Sequence, residues 1–219
     1  MKVVVSAGPT REYLDPVRFL SNPSTGKMGF AVAAEAARRG HDVVLVAGPV
    51  ALKTPPRVTR IDVVSARDML AAVRGALEPS DPAAKDGTVF ISTAAIADWR
   101  PRIRSASKLK KHQMSGVLTL VRNPDILKTV RADLRARRRE DVTLVGFAAE
   151  TDDVLGEAAR KCREKGLAFI VANDVTEKGA GFGTSTNRVS FVFPDGTVQK
   201  HPLMSKRAVA RRILLQVER

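Results

Sequence analysis

Short β-branched runs alternate with helix-patterned stretches along almost the whole chain, and no other feature restricts the fold as strongly. The apolar runs are Lys2 to Ser6, Asp42 to Ala47, Val58 to Val63, Thr88 to Ser92, Thr143 to Phe147 and Ala168 to Ala172. Helical patterns separate them. One runs from Gly26 to Arg39 and stops at Gly40, another from Ser65 to Leu77, and a third from Asp152 to Lys165. Ser65 with Asp68 three residues on has the spacing of a capping box, and Gly40 suits a helix C′ position. Strands joined through helices pair in parallel rather than as hairpins. The expected fold is therefore α/β, a doubly wound, mostly parallel sheet with helices on both faces, Rossmann-like in class. A short strand, Val117 to Val121, and a helix start at Asn123-Pro124-Asp125, with Asn123 as cap and Pro124 in the first helical position, continue the rhythm. The chain should close with Val189 to Phe193 and Thr197 to Lys200 as a hairpin about Asp195-Gly196, then a helix from Ser205 to Val217. No repeat or linker interrupts this pattern, so one domain over residues 1–219 is expected.

The connection between the first strand and the first helix is unusually long. Residues Ser6 to Gly29, SAGPTREYLDPVRFLSNPSTGKMG, separate the two. Roughly 20 residues of loop inside a compact domain are uncommon unless the loop is functional. A strand-to-helix turn suits phosphate binding, because the helix start presents unpaired N–H groups and glycines let a ligand approach. Gly8, Gly26, Lys27 and Gly29 are the candidates for that task. A Walker A loop is excluded, since Ser21 stands where glycine is required and Met28 follows Gly26-Lys27. The dinucleotide fingerprint fails as well, because Gly8 stands alone and Gly26 and Gly29 form only its second half.

Composition matters chiefly through charge. The net charge is +14, and 13 basic against 2 acidic residues lie between Arg100 and Arg139. That segment has no aromatic residue for base stacking, so a nucleic-acid partner is not expected. Arg135, Arg137, Arg138 and Arg139 end a helical pattern, where cations suit the dipole. Lys108, Lys110 and Lys111 sit in a loop that could close over a polyphosphate. No cationic leader with an apolar segment is visible, and no apolar run approaches the ~20 residues of a membrane helix. A cytoplasmic chain without membrane contact is expected. Cys162 is the single cysteine and lies in a helical pattern, which reads as a packed, inert thiol. His41, His112 and His201 are scattered, so zinc is not expected and no protein ligand for a metal can be named.

Eight blocks, in order, resemble one family: SAGPTRE, DPVRFLSNPSTGKMGFA, AAIADWRP, a KxKK group, NPDIL, VGFAAET, VANDV and GFG-x-x-x-N. They are similar to phosphopantothenoylcysteine synthetase of the bacterial type, the C-terminal half of a bifunctional coenzyme A biosynthesis protein. The resemblance runs from about Val3 to Arg219. Thr25 stands where serine is usual, Trp99 stands where tyrosine is common, and the decarboxylase half has no counterpart in this sequence. The resemblance implies a homodimeric ligase that joins 4′-phosphopantothenate to L-cysteine. CTP, with Mg2+, would activate the acid as an acyl-cytidylate with release of pyrophosphate, and the amine of cysteine would then displace CMP. By the same resemblance Asn22 holds the acyl group and Lys108 belongs to a mobile basic flap closing on the triphosphate. Ala94 and Ala95 line the substrate site. Asp98, Pro124, Asp125, Ile126, Leu127, Phe147, Lys161 and Lys165 contact the nucleotide.

Two other classes stay open at this level. An NAD(P)-dependent reductase would use the same sheet, although the fingerprint is broken and Val17 stands where a Tyr-x-x-x-Lys pair starting at Tyr13 would need lysine. A basic nucleic-acid-binding module would rest on the Arg100 to Arg139 charge alone.

Overall fold

The computed structural model describes residues 1–79, 87–111, 116–150, 152–177 and 179–219. Six strands form its parallel centre: β1 (Lys2–Ala7), β4 (Asp42–Ala47), β5 (Thr59–Asp62), β6 (Thr88–Ser92), β9 (Val142–Glu150) and β10 (Phe169–Asp174). They pair in the order β10-β9-β6-β1-β4-β5, each parallel to its neighbours. Taken in chain order this is the doubly wound arrangement 3-2-1-4-5-6, whose direction of winding reverses between β1 and β6. Beyond β10 the sheet continues antiparallel through β12 (Ser190–Val192) and β13 (Val198–Lys200). Asp195-Gly196 turns that hairpin, with Gly196 at φ 90° and the Asp195 carboxylate accepting from the Thr197 N–H.

Alternation along each strand builds two apolar layers. Val3 and Val5 face α1 (Lys27–Arg38) and α5 (Lys206–Val217), meeting Phe30, Ala33, Val209 and Ile213. Val4 faces the other way, into a layer closed by α2 (Ala66–Leu77), α3 (Ile126–Ala136) and α4 (Val154–Glu164). All three valines are fully buried, which is worth about 1.5–3 kcal/mol for each before the entropy cost of ordering. Cys162 is packed in the second layer, and burial pushes its thiol up to about 11, so it is inert at neutral pH.

Three local expectations are corrected. The stretch after β1 is not featureless loop: β2 (Arg11–Tyr13) and β3 (Phe19–Ser21) make an antiparallel hairpin, with Tyr13 against Phe19. At its tip the buried Asp15 carboxylate accepts from the Val17 and Arg18 N–H groups, and Arg18 adds a charged pair at 2.6 Å. The short strand expected at Val117 to Val121 is β8 (Leu120–Arg122), paired with β7 (Trp99–Pro101) in a small ribbon. Helix α3 is capped by Asp125, whose carboxylate accepts from the Lys128 N–H at 3.0 Å, and not by Asn123. Pro124 favours extended backbone at the residue before it. Asn123 accordingly stays outside the helix, and its side chain donates to the Ala97 carbonyl at 2.8 Å.

The expected features at Gly40 and Ser65 are present. Gly40 has φ 87° just after α1, and both capping-box hydrogen bonds form between Ser65 and Asp68. Arg137 and Arg139 pair with Glu78 and Asp141, which ties the basic end of α3 to its neighbours.

Candidate functional site

The winding reversal between β1 and β6 leaves a crevice at their carboxyl ends, and backbone hydrogen bonds sew its two lips together. Thr93 donates through its N–H and hydroxyl to the Ser6 carbonyl, the Ala95 N–H donates to Gly8, and the Thr10 N–H donates to Ala95. The Thr10 hydroxyl in turn accepts from the Ala97 N–H at 3.0 Å. These contacts fix residues 93–97 beside the first turn of α1. Gly48 makes the arrangement possible, because a Cβ there would stand 1.8 Å from the Pro9 carbonyl oxygen.

Two cavities open on this crevice. The first, about 490 Å³, lies between the 94–99 segment, Arg122 and the start of α3. It brings together the expected Ala94, Asp98, Pro124, Asp125, Ile126, Leu127, Phe147 and Lys165. Burial by itself would raise the Asp125 carboxyl. Hydrogen bonds from Lys165, at 2.8 Å, and from the Lys128 N–H outweigh it and hold the carboxyl below its ordinary value. Asp98 carries an exposed carboxylate with no hydrogen-bond partner among the described residues. Arg122 stacks over the Trp99 ring at 5.3 Å and completes the rim. Neither Trp99 nor Arg122 was singled out from sequence, where one reads as a family departure and the other as part of a charge run.

The second cavity, about 100 Å³, lies at the start of α1 and shares Ala94 and Phe147 with the first. Gly26, Lys27, Gly29 and Ala95 line it, together with Asn173, Phe182, Asn187 and Lys206. Gly26 stands before α1 in the left-handed region, φ 76°, and no side chain caps the helix. Its N–H groups therefore remain available to an anion. Gly8, also left-handed at φ 77°, packs against Gly26. Gly29 has a packing role as well, since a Cβ would meet Thr93 Oγ1 at 2.4 Å and Ala7 Cβ at 2.5 Å.

Asn22 stands where the two lips meet. Its amide nitrogen donates to the carbonyls of Ala95 (3.2 Å) and Ile96 (3.1 Å), so both N–H donors are engaged and Oδ1 is left over. Lys108 is exposed in the basic loop, which is anchored rather than loose at its root. Leu109 donates its N–H to Asp15 and accepts from Arg18. His112 and the rest of that loop to residue 115 lie outside the described residues. Lys161 does not reach the first cavity and pairs with Glu150 instead, so of the two lysines four apart only Lys165 lines it.

No group of three or more His, Cys, Asp and Glu side chains could hold a metal ion among the described residues. No described helix is long and apolar enough to cross a membrane.

Known proteins share this fold. The chain is 45% identical over 216 residues to the coenzyme A biosynthesis bifunctional protein CoaBC of Bacillus subtilis, covering 98% of this chain and 50% of that protein. With CoaBC of Vibrio vulnificus the identity is 44% over 218 residues, covering 99% and 51%. The chain thus spans about half the length of the curated relatives it matches. The crystal structure of the C-terminal domain of CoaBC superposes with a TM-score of 0.78 at 41% identity, over 99% of this chain and 93% of that one. Residues 1–219 match the family described as DNA/pantothenate metabolism flavoprotein C-terminal domain, and the chain belongs to that family.

Proposed function

We propose that the chain is a ligase that joins 4′-phosphopantothenate to L-cysteine, using CTP and releasing pyrophosphate and CMP, in coenzyme A biosynthesis. The observation that carries this reading is the pair of cavities meeting at Ala94 and Phe147, with Asn22 hydrogen-bonded to Ala95 of the smaller cavity and Ile96 of the larger. Such a reaction needs one seat for a nucleoside, one for phosphate oxygens, and a fixed polar group between them at the carboxylate to be activated.

In the first step a carboxylate oxygen of the acid attacks the α-phosphorus of CTP. The bond to the bridging oxygen breaks and pyrophosphate leaves with the electron pair. In the second step the neutral amine of cysteine attacks the acyl carbon, CMP leaves, and the amine loses a proton as the amide forms. The nucleoside would occupy the larger cavity, against Pro124 to Leu127 and Phe147, with Lys165 held ready by Asp125. Asn22 would exchange one of its two carbonyl acceptors for the acyl oxygen as negative charge develops there. Lys108, on the exposed loop rooted at Asp15 and Arg18, would close on the triphosphate. Mg2+ would arrive with CTP, bound by phosphate oxygens and water, with Asp98 as the unengaged carboxylate nearby.

A homodimer would use the apolar side chains left exposed on the β2–β3 hairpin and the β7–β8 ribbon, Val17, Phe19, Leu118 and Leu120 among them. The test of function is an assay with 4′-phosphopantothenate, cysteine and magnesium, comparing CTP with ATP and identifying the product by mass spectrometry. Amide product with CTP preferred is the expected result. Folded protein that turns over neither nucleotide would overturn the reading.

A further inference from the structure

Among the described residues the smaller cavity holds two lysines and no carboxylate: Lys27 and Lys206 are the ionisable groups in its lining. Lys206 opens α5 and is 7% exposed. A buried ammonium normally has a carboxylate or a full set of acceptors, because removing it from water is costly. Lys206 has neither. Its Nζ donates to the carbonyls of Gly181 and Thr184, each at 2.9 Å, which uses two of three protons, and no ion pair joins it among the described residues. Burial and the neighbouring charge of Lys27 both pull its pKa below the usual lysine value, as expected where positive charges converge without a counter-charge. Lys27 finds only another carbonyl of the same loop, Gly183, at 2.6 Å.

A second observation is independent of the lysines. Asn173, at the end of β10, is also 7% exposed and lines the same cavity, and its side-chain amide has no partner among the described residues. That amide is thus free to engage a ligand that enters the cavity. The cavity's ~100 Å³ is well below the roughly 300–1,000 Å³ of sites for whole drug-sized ligands, and it suits a phosphoryl group rather than a nucleoside.

We propose that Lys206 is the fixed cation of a phosphate subsite at the start of α1. Its third proton, the Asn173 amide and the uncapped N–H groups of α1 receive the phosphate oxygens, and Lys27 closes over them. The choice of ligand rests on the ligase reading, which offers two sources: the pyrophosphate end of the nucleotide, and the phosphate monoester of the acid. Both present the same chemistry to the cavity, and they are separated by titrating each one alone.

Calorimetric titration of the wild-type chain, Lys206→Met and Lys27→Met with inorganic pyrophosphate and, separately, with 4′-phosphopantothenate tests this. We expect the wild type to bind at least one of them. Lys206→Met should weaken that one by about tenfold or more, and Lys27→Met by less, since Lys27 is exposed. The ligand affected identifies the source. A residue that merely tethers the Gly181 to Thr184 loop would lower the unfolding midpoint and leave ligand affinity alone. Wild-type affinity for both ligands in folded variants overturns the proposal, as does a wild type that binds neither. Should Lys206→Met fail to fold, Lys27→Met carries the same readout, and its unchanged affinity would overturn the subsite. Binding is read without turnover. Protein that binds through Lys206 yet makes no amide keeps the subsite and loses the ligase reading, whereas active protein with unaltered variants does the reverse.

Discussion

The two cavities share a wall, yet they are built on opposite electrostatic plans. The larger one mixes signs: Asp98 and Asp125 face Arg122 and Lys165, and one pair, Asp125 with Lys165, is already closed at 2.8 Å. The smaller one has cations, amides and a bare helix start, with no acid among the described residues that line it. A mixed site can hold a polar, neutral base edge and still tolerate an empty state, since the Asp125–Lys165 pair neutralises itself there. An all-positive pocket is strained by its own charges until an anion enters. That contrast supports the distinct tasks proposed for the two, a nucleoside in the larger and phosphate in the smaller.

The largest test falls at Asn22, which is tied by hydrogen bonds to one lining residue of each cavity, Ala95 and Ile96. Asn22→Asp turns two donors into acceptors facing the Ala95 and Ile96 carbonyls. Amide formation should fall about 100-fold, the equivalent of one lost donor to a developing oxyanion, while pyrophosphate release stays within a few-fold. Equal loss in both half-reactions, followed by quenched-flow analysis of acyl-cytidylate, would erase the division of labour. Gly29→Ala should cost about 1–3 kcal/mol by denaturant unfolding, since the new methyl overlaps Ala7 and Thr93 and pushes α1 from β1. It should weaken phosphate binding more than nucleoside binding, and the opposite order would merge the two sites.

Lys108→Gln should slow nucleotide activation roughly tenfold at unchanged melting temperature, as expected when one charge-assisted contact is lost from an exposed side chain. Wild-type turnover would return Lys108 to the solvated face of the loop. Asp125→Ala removes both the α3 cap and the Lys165 partner, and should cost about 1 kcal/mol, measured by urea midpoint at constant slope.

The smallest effect is a pH dependence belonging to the mixed cavity. The folded pKa of Asp125 lies below its unfolded value of 3.8. Its stabilising contribution is therefore complete above that pH and is lost as pH falls through the folded value. Lys165→Met should remove part of this slope below about pH 4, and an unchanged acid limb would show that the pair contributes nothing.

Much of the molecule could be read from residue order. The valines of β1, the capping box at Ser65 and the Asp195-Gly196 turn are local signals, and each formed as expected because its partners lie within a few residues or within one face of the sheet. The β2–β3 hairpin escaped notice because its strands are three residues long and its tip is organised by Asp15 and Arg18 rather than by a glycine turn. Asn123 was mistaken for a cap because its true partner, Ala97, comes from a different strand exit. Most of the residues that gather around the larger cavity were legible through ordered family blocks, while Lys161 lies apart from it and pairs with Glu150. Lys206 was the least visible. A lysine after Ser205 reads as a solvated first-turn residue, and only the folded loop at Gly181 to Thr184 buries it.

Of the helices described, α2, α3, α4 and α5 each begin under a side-chain cap, from Ser65, Asp125, Asp153 and Ser205. Helix α1 begins bare. Under the proposed phosphate subsite, the bound phosphate would supply that missing cap. A ligand that binds there would stabilise the folded chain, and the melting temperature should then rise with the logarithm of phosphate-ligand concentration above the dissociation constant.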